Sequence, residues 1–353
     1  MKILSVVGAR PQFIKAAAVS RALRERHQEI LIHTGQHYDE LMSEVHFRQL
    51  GLPEPDENLG VGSGGHGEQT GAMLAGLERP ILREKPDWVL VYGDTNSTLA
   101  GALAAAKLDT PVAHVEAGLR SFNRAMPEEI NRVVTDHVSA LLLAPTQTAV
   151  NNLAAEGITR GVVLTGDVMV DVLLRQRDLA RQHSAIFDAL SLDPTETYCL
   201  ATVHRAGNTD DPARLRGIVA GLAGLGWRVV LPAHPRLGAA LAREGIPTPP
   251  NVQKAAPVGY LDMLALLDRA ALVLTDSGGL QKEAYVMGVP CITLRDETEW
   301  VETVAAGWNR LAGADAARIA AAAEAALAGR PADHPDLFGD GHASARIVAA
   351  LET

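Results

Sequence analysis

The chain alternates short apolar runs with longer stretches of helical periodicity, and this alternation constrains the fold more than any other feature. Apolar runs rich in β-branched residues recur along the whole length. The ten runs are residues 3–7, 29–34, 88–92, 111–116, 140–146, 161–167, 197–204, 227–234, 271–277 and 290–296. Between them, stretches such as AAAVSRALRER repeat apolar residues at intervals of three and four, the spacing of one helix face. Continuously apolar strands joined by helices predict parallel sheets that are covered on both faces.

Two sets of five runs predict two doubly wound α/β domains. A length of 353 residues is enough for two domains of ordinary size. We place the seam near Gly166, so that residues 1–165 form an N-terminal Rossmann-like domain and residues 166–341 a C-terminal one. Residues 342–353 have the periodicity of a closing helix, which the pattern alone assigns to neither domain.

Composition excludes several classes of protein. Acidic residues number 42 against 32 basic ones, a formal charge of -10, which argues against a protein whose main task is binding a nucleic acid backbone. Cys199 and Cys291 are the only cysteines, too few for a disulfide framework, and no apolar run reaches the length of a membrane span. We therefore expect a cytoplasmic protein with no membrane or nucleic acid partner.

Polar residues gather where the predicted strands end. These residues are Arg10, His37, Asp94, Glu116, His204, His234, Ser277 and Asp296. Doubly wound sheets bind ligands at the carboxyl ends of their strands, where the strand order reverses. If the two domains face each other with these ends inward, the sequence predicts an enzyme-like central cleft.

The segment TDSGGLQKEA (275–284) predicts a site for a diphosphate. An apolar strand runs into Ser277, Gly278 and Gly279 and then into a helix-forming stretch, so bare amides and a helix N-terminus would face the ligand. Glu283 would then accept hydrogen bonds from a ribose. The competing interpretation is an ordinary strand-to-helix turn capped by Ser277.

The first strand ends in VVGARPQFIK, which places Arg10 and Lys15 around a strand-to-helix turn where two cations would flank an anion. Alternatively, both belong to a solvated basic face. The turn lacks the GxGxxG pattern, which argues against a tightly held nicotinamide or flavin cofactor.

Three carboxylates are candidates for acid and base chemistry. Asp94 and Glu116 follow two strands, and Glu128 stands at the predicted start of a helix in MPEEINR. If they converge, each raises the proton affinity of the others, which supplies an acid and a base near neutral pH. The alternatives are that Asp94 and Glu128 are helix caps and that Glu116 pairs with Arg120.

Two histidines, His204 in ATVHRAGN and His234 in LPAHPR, end strands of the second half. Imidazoles in such positions suit phosphate contact or proton transfer. No HExxH or close histidine pair with a third ligand occurs, so we predict no metal site.

Taken in order, these segments resemble the non-hydrolysing UDP-N-acetylglucosamine 2-epimerases. The matching motifs are GARPQFIK, TGQH, YGDTNST, HVEAGLRS, PEEINR, HR at 204–205, HP at 234–235 and TDSGGLQKEA. The resemblance covers nearly the whole chain. It implies the glycosyltransferase-B architecture, a closing helix that packs on the first domain, and a homodimer formed through that domain.

The resemblance also implies a reaction and a set of residues. The family interconverts UDP-N-acetylglucosamine and UDP-N-acetylmannosamine by anti elimination of UDP and its re-addition to 2-acetamidoglucal. The implied catalytic residues are Asp94, Glu116, Glu128 and His204. The residues implied for the diphosphate and ribose are Arg10, Lys15, Ser277, Gly278, Gly279 and Glu283. Val258 and Met263 would lie against the uracil, with weaker stacking than the aromatic residue that relatives often carry in place of this methionine.

Two departures from the family pattern bear on regulation and substrate. HRAGN replaces the HRRE of many members, which puts allosteric activation by a second UDP-N-acetylglucosamine in doubt. TEWVE carries Trp300 in place of a nucleotide-facing arginine, and this pattern resembles the branch that acts on UDP-2,3-diacetamido-2,3-dideoxyglucuronate. A glycosyltransferase of the same architecture, a hydrolysing epimerase and a non-catalytic nucleotide-sugar sensor are the rival functions.

Overall fold

Each of the ten predicted apolar runs contains a parallel strand in the computed structural model. The described residues are 1–36, 52–193 and 195–353. The strands belong to two sheets in two compact units, which confirms the predicted fold class. The first unit is Met1–Val172 with Phe338–Thr353, and the second is Leu173–Leu337.

The first unit is built on a seven-stranded sheet of order β3-β2-β1-β4-β5-β6-β7. Its strands are β1 (Lys2–Val7), β2 (Gln28–His33), β3 (Glu57–Asn58), β4 (Trp88–Tyr92), β5 (Val112–Val115), β6 (Leu141–Ala144) and β7 (Val162–Leu164). Neighbouring strands pair in parallel, so their carboxyl ends share one edge of the sheet. The strand order reverses between β1 and β4, and a doubly wound sheet binds ligands at such a point.

Helices cover both faces of this sheet because each carries an apolar stripe. They are α1 (Arg10–Arg24), α2 (His66–Glu84), α3 (Asn96–Lys107), α4 (Pro127–Val138), α5 (Gln147–Ala155) and α15 (Ala343–Leu351). Helix α15 packs on α1, and its Ile347 and Leu351 lie in one core cluster with Phe13. The Trp88 indole N–H donates to the Leu351 carbonyl oxygen at 3.2 Å.

The second unit repeats the plan with a six-stranded parallel sheet of order β10-β9-β8-β11-β12-β13. Its strands are β8 (Tyr198–Thr202), β9 (Arg228–Pro232), β10 (Val252–Ala255), β11 (Leu272–Thr275), β12 (Cys291–Thr293) and β13 (Asn309–Leu311). Helix α6 (Val168–His183) carries the chain from the first unit into the second. The remaining helices are α7 (Ile186–Ala189), α8 (Ala206–Thr209), α9 (Pro212–Ala223), α10 (Pro235–Arg243), α11 (Tyr260–Arg269), α12 (Gly278–Val286), α13 (Val301–Ala305) and α14 (Ala316–Ala328).

Among the strands of the described residues, three were not predicted from the sequence, and all three lie at the outer positions of a sheet: β3, β10 and β13. An edge strand is covered less completely than a central one, so it tolerates polar residues such as Lys254 and Arg310. These strands therefore lack the continuous apolar run that marks the others. Within the described ranges, every helix is too short or too polar to span a lipid bilayer.

Candidate active site

In the first unit, two candidate acids stand side by side in loops at the strand-order reversal. Asp94 follows β4 and Glu116 follows β5, and these two strands are paired. Glu116 has φ 74°, a left-handed conformation that costs free energy for a non-glycine residue. The N-cap of α3 is Thr95, so the alternative of Asp94 as a helix cap is wrong.

Lys15 forms an ion pair with Glu116, with 2.5 Å between Nζ and Oε2. Only 12% of the lysine side chain and 16% of the glutamate side chain are exposed. Burial lowers the pKa of Lys15, but Glu116 and then Asp94 and Asp167 raise it, and the net shift is upward. The alternative of a solvated basic face is therefore wrong for Lys15, which lies among carboxylates.

Asp94 is held by two side chains of helix α4 that the sequence analysis did not single out. The Arg132 guanidinium pairs with the Asp94 carboxylate through Nη2 and with Glu129 Oε2 through Nη1 at 2.7 Å. Asn131 Nδ2 donates to the Asp94 backbone carbonyl at 2.9 Å. Both residues occur in the quoted motif PEEINR, but only the fold shows that their face of the helix lies against the Asp94 loop.

Glu128 lies in the first turn of α4, where Pro127 is the first helical residue as predicted. The N-cap is Met126, so the alternative of Glu128 as a helix cap is wrong. Glu128 is exposed and stands four residues before Arg132, which places the two on one face of the helix. Among the described residues, the Glu128 carboxylate has no hydrogen bond or ion pair. The structure thus brings Asp94 and Glu116 together around Lys15, while Glu128 stays a predicted third member.

Arg120 has a different partner from the one considered in the sequence analysis. It pairs with Asp136 at 2.7 Å and with Glu156 at 2.7 Å, so the alternative of a Glu116–Arg120 pair is wrong. The guanidinium is buried, with 1% of its side chain exposed. It belongs to a buried cluster behind the two loops.

The centre of this buried cluster is His114, on strand β5. Its Nδ1 lies 2.6 Å from Asp136 Oδ1, and its Nε2 lies 2.7 Å from the Gly93 carbonyl oxygen. Asp136 Oδ2 also accepts the Gly118 N–H at 3.1 Å. Burial raises the pKa of Asp136, but His114 and Arg120 lower it by more than burial raises it, so the net shift is downward. This cluster could not be predicted from the sequence because His114 lies inside an apolar run.

In the second unit, His204 follows β8 as predicted and contacts a fully buried carboxylate. Asp276 accepts the backbone N–H groups of His204 and Arg205 at 3.1 and 2.9 Å and a side-chain N–H of Asn208 at 3.1 Å. His204 Nδ1 lies 3.2 Å from Asp276 Oδ1, and 39% of the imidazole side chain is exposed. Burial raises the pKa of Asp276, but these hydrogen bonds lower it, with a net downward shift. Asp276 occurs in the TDSGG motif, but the sequence pattern predicted no role for it.

His234 has a capping function. It is the N-cap of helix α10, and its Nδ1 accepts the Arg236 N–H at 3.2 Å. Its ring lies 5.9 Å from the ring of His204, centroid to centroid. The two predicted histidines are therefore neighbours at the carboxyl end of the second sheet.

The Ser277–Gly278–Gly279 turn has the geometry of an ordinary capped helix start. Ser277 is the N-cap of α12, and its Oγ accepts the Leu280 N–H at 3.4 Å. A Cβ on Gly278 would collide with the Glu299 carboxylate, whereas a Cβ on Gly279 would meet only Ser277 Oγ, at 3.9 Å. An ordinary capped strand-to-helix turn thus accounts for Ser277 and Gly278 without a ligand. Gly279 is the exposed position that leaves the helix N-terminus open.

Trp300 closes one side of this turn. Its indole N–H donates to the Gly278 carbonyl at 2.8 Å, and Lys282 Nζ lies 4.8 Å from the centre of its ring. The residue that departs from the family pattern therefore packs against the predicted phosphate loop.

Glu283 lies one turn into α12 and accepts the Tyr260 hydroxyl at 3.0 Å. Burial raises the pKa of Glu283 to about 7, although the hydrogen bond from Tyr260 and the charge of Lys282 act to lower it. Met263 follows Tyr260 by three residues on α11 and is partly buried against the core, as is Val258. The structure therefore places a carboxyl and a hydroxyl in contact, and packs Val258 and Met263 against the core cluster that contains Leu280 of α12.

Two predictions extend beyond the structural description. The side chain of Arg10 and the whole of His37 in TGQH lie outside it. Across residues 1–36, 52–193 and 195–353, no group of three or more His, Cys, Asp or Glu side chains is arranged to hold a metal ion.

Comparison with known proteins identifies the family. Residues 21–352 match the family model of the UDP-N-acetylglucosamine 2-epimerases. The chain belongs to this family. Among the relatives of this epimerase chain is the UDP-2,3-diacetamido-2,3-dideoxy-D-glucuronate 2-epimerase of Pseudomonas aeruginosa, which is 51% identical over 99% of each chain.

Solved structures agree with the assignment to the 2-epimerase family. The UDP-GlcNAc 2-epimerase of Methanocaldococcus jannaschii, crystallised with UDP-GlcNAc and UDP, is 44% identical, with a TM-score of 0.79 over 100% of this chain and 99% of that one. A calicheamicin glycosyltransferase, CalG4, is 15% identical with a TM-score of 0.54 over 99% of this chain and 94% of that one, and shares the fold alone. The predicted family resemblance and glycosyltransferase-B-like fold are therefore confirmed.

Proposed function

We propose that this protein is a non-hydrolysing epimerase that interconverts UDP-N-acetylglucosamine and UDP-N-acetylmannosamine at C2. The observation that carries the proposal is the pair of loops at the strand-order reversal, where Asp94 and Glu116 lie beside the buried cation Lys15. Charged carboxylates fixed in such a place suit a reaction that builds positive charge on a sugar ring.

The chemistry explains why several acids are needed. No carbonyl adjoins C2, so its proton is hardly acidic until the bond from C1 to the UDP oxygen weakens. As that bond breaks, its electron pair leaves with UDP, and positive charge grows at C1. A carboxylate then takes the C2 proton, and the C2–H electrons form the C1–C2 double bond of 2-acetamidoglucal. Re-addition of UDP with protonation from the other face gives the epimer.

Inversion requires a proton donor on one face and an acceptor on the other, so at least two acids exchange roles. Asp94, Glu116 and Glu128 are the candidates. Arg132 forms an ion pair with Asp94, and Lys15 forms an ion pair with Glu116. Glu128 is exposed and has no ion pair with any described residue, so its side chain is free to reorient. Lys15 then acts chiefly by positioning Glu116, in addition to its predicted attraction for the diphosphate.

Groups of the second unit suit the leaving nucleotide. His204 faces Asp276 with Nδ1, so its Nε2 is the nitrogen available to the diphosphate. Arg10, His234, Ser277, Gly278 and Gly279 are the other predicted phosphate contacts. The Gly279 amide and the α12 N-terminus support this assignment.

The rest of the nucleotide fits the other predicted contacts. Glu283, with Tyr260 beside it, would hold the ribose hydroxyls. Val258 and Met263 would pack on the uracil. We also propose the cytoplasmic homodimer implied by the family.

A second substrate is favoured by one observation. The Pseudomonas aeruginosa relative at 51% identity acts, by its name, on UDP-2,3-diacetamido-2,3-dideoxy-D-glucuronate. The same elimination and re-addition would epimerise that sugar, since C1, C2 and the 2-acetamido group are alike. The additional carboxylate and 3-acetamido group would need their own contacts.

Proton NMR in heavy water tests both substrates. UDP-N-acetylglucosamine, and separately UDP-2,3-diacetamidoglucuronate, is incubated with the protein without metal or nicotinamide. Entry of deuterium at C2 with formation of the manno epimer establishes the reaction, and the faster substrate is the preferred one. Free N-acetylmannosamine with UDP would instead indicate a hydrolysing enzyme. Binding without exchange would leave a transferase or a sensor.

Three substitutions test the acids: Asp94→Asn, Glu116→Gln and Glu128→Gln. Each is expected to cut turnover by about 100-fold or more, the usual range for a group that transfers a proton. UDP affinity, measured by calorimetry, should change far less. Glu78→Gln, on an exposed position of α2, is the matched control. Near-normal turnover in one of the three removes that residue from the catalytic set.

A further inference from the structure

One buried pair of side chains contacts both loops that carry candidate acids. His114 Nε2 reaches the carbonyl of Gly93, the residue before Asp94. Asp136 Oδ2 reaches the N–H of Gly118, two residues after Glu116. The 2.6 Å contact between His114 Nδ1 and Asp136 Oδ1 joins the two halves of this link.

The hydrogen bonds fix the number of protons on the pair. A backbone carbonyl only accepts, and an ionised carboxylate only accepts, yet each faces one nitrogen of the same imidazole. A neutral imidazole carries a single N–H and would leave one lone pair against an acceptor. Arg120 Nη1, 2.7 Å from Asp136 Oδ2, favours the ionised form of Asp136. The imidazole of His114 must therefore donate from both nitrogens.

The surrounding charges balance this buried cation. Asp136 on α4 faces the imidazole directly, Arg120 follows β5, and Glu156 after α5 pairs with the outer side of Arg120. With His114 protonated, two positive and two negative groups form one row, and His137 lies beside its outer end, with Nδ1 4.0 Å from Glu156 Oε2. A buried charge that is paired and hydrogen-bonded on every side is tolerated, whereas an unpaired one is not.

We propose that His114, as an imidazolium paired with Asp136, is a positioning residue that fixes the Asp94 and Glu116 loops for epimerisation. The kinetic part of this inference rests on the function proposed above. Charge-assisted hydrogen bonds are stronger than neutral ones, and the pair supports backbone in a costly conformation, since Glu116 has φ 74°. Neither His114 nor Asp136 need touch the substrate.

The protonation state is tested first, without any turnover. Protein labelled with ¹⁵N-histidine is studied by NMR at neutral pH. His114→Gln assigns the signal. Both nitrogens of His114 are expected to be protonated. A single unprotonated nitrogen at neutral pH would overturn the proposal, whatever the enzyme's activity.

Kinetics then test the positioning role. His114→Leu removes both contacts and is expected to lower kcat by about 100-fold, the cost of a misplaced group. Asp136→Asn keeps every hydrogen bond, since its amide can donate to a neutral His114 and accept from Gly118 and Arg120. It should lower kcat by only about tenfold through loss of the charge. His183→Gln, an exposed histidine in the last turn of α6, is the control.

The split between kcat and nucleotide binding separates positioning from general damage. UDP affinity should stay within about threefold in both variants, because the predicted UDP contacts near these substitutions are few. A folded His114→Leu protein with kcat within about threefold of the parent would refute the role. If His114→Leu does not fold, Asp136→Asn tests the role instead. An unchanged kcat in Asp136→Asn would refute the proposal that the charge of the pair positions the two loops. A protein inactive on every UDP-sugar would defeat the proposed function and leave the NMR result standing.

Discussion

Lys15→Met is expected to destabilise the first unit more than Glu116→Gln does. Although both substitutions break the same 2.5 Å ion pair, they leave different charges behind. Without Lys15, Glu116, Asp94 and Asp167 all lose a nearby cation. Without Glu116, the ammonium still has the other two carboxylates.

The geometry sets the magnitudes. Two unit charges at this separation attract by about 7 kcal/mol at an effective dielectric constant near 20, before desolvation is subtracted. Removal of one partner of a mostly buried pair costs about 3–5 kcal/mol, which we assign to Lys15→Met. Glu116→Gln keeps one hydrogen-bond acceptor and relieves repulsion, so its cost should be about 1.5–3 kcal/mol. The double variant should cost less than the sum by about 0.5–3 kcal/mol.

The assay must report on the first unit alone. Of the 4 tryptophans, only Trp88 belongs to this unit, and its indole N–H binds the Leu351 carbonyl. Phenylalanine at Trp227, Trp300 and Trp308 leaves Trp88 fluorescence as the reporter. Urea denaturation at neutral pH then gives the free energy of unfolding for each corner of the double-mutant cycle. All four proteins of the cycle carry the same three phenylalanine substitutions. The effect of these substitutions on stability therefore cancels when the four free energies are compared.

A control and a pH test complete the design. Lys107→Met, at the exposed end of α3, should change the free energy of unfolding by less than about 0.5 kcal/mol. The pKa of Lys15 is raised in the folded protein, so its stabilisation is complete below its unfolded value of 10.5 and is lost as pH rises through the folded value. If Lys15→Met costs no more than Glu116→Gln, Lys15 does not serve several carboxylates.

Two further predictions concern the nucleotide site and the Asp94 loop. Glu283 has a pKa near 7, so at pH 6 only about one-tenth of it is ionised, and UDP affinity should fall up to about tenfold between pH 8 and pH 6 if the ribose needs the carboxylate. Calorimetry checks this, and Glu283→Gln should reduce the difference to the part that comes from UDP itself, whose terminal phosphate loses its last proton at about pH 6. Gly93→Ala places a Cβ 3.1 Å from Lys15 Nζ at φ 64°, so it should destabilise by about 1–2 kcal/mol or more and reduce turnover. Denaturation and kinetic assays test it, and an alanine variant equal to the parent would refute the close approach.

The sequence was sufficient to predict two parallel sheets and to locate candidate functional side chains along the chain. A buried parallel strand needs an apolar run, and the residue that follows it is at the ligand-binding edge by topology alone. Asp94, Glu116, His204 and Ser277 are found there for this reason. Three of the four edge strands, β3, β10 and β13, escaped prediction because their exposed side imposes no such pattern, whereas the edge strand β7 has an apolar run.

The partners of these residues could not be predicted. Lys15 and Glu116 are separated by 101 positions, and nothing in either motif shows that they form a pair. Asp276 and His114 were overlooked because a buried polar residue inside or beside an apolar run looks like part of the strand. Local sequence determines which element a residue joins, whereas the packing of distant elements determines its charge partner.

The position of α15 has a consequence for how the protein is made. Ile347 and Leu351 complete the core around Phe13, yet they are translated only after the whole second unit. At ordinary rates of synthesis, the nascent first unit waits roughly ten to forty seconds for the helix that covers its α1 side. During that interval, its apolar surface is open to chaperones and to neighbouring chains on the same messenger RNA, while the second unit, begun later, already has all of its strands.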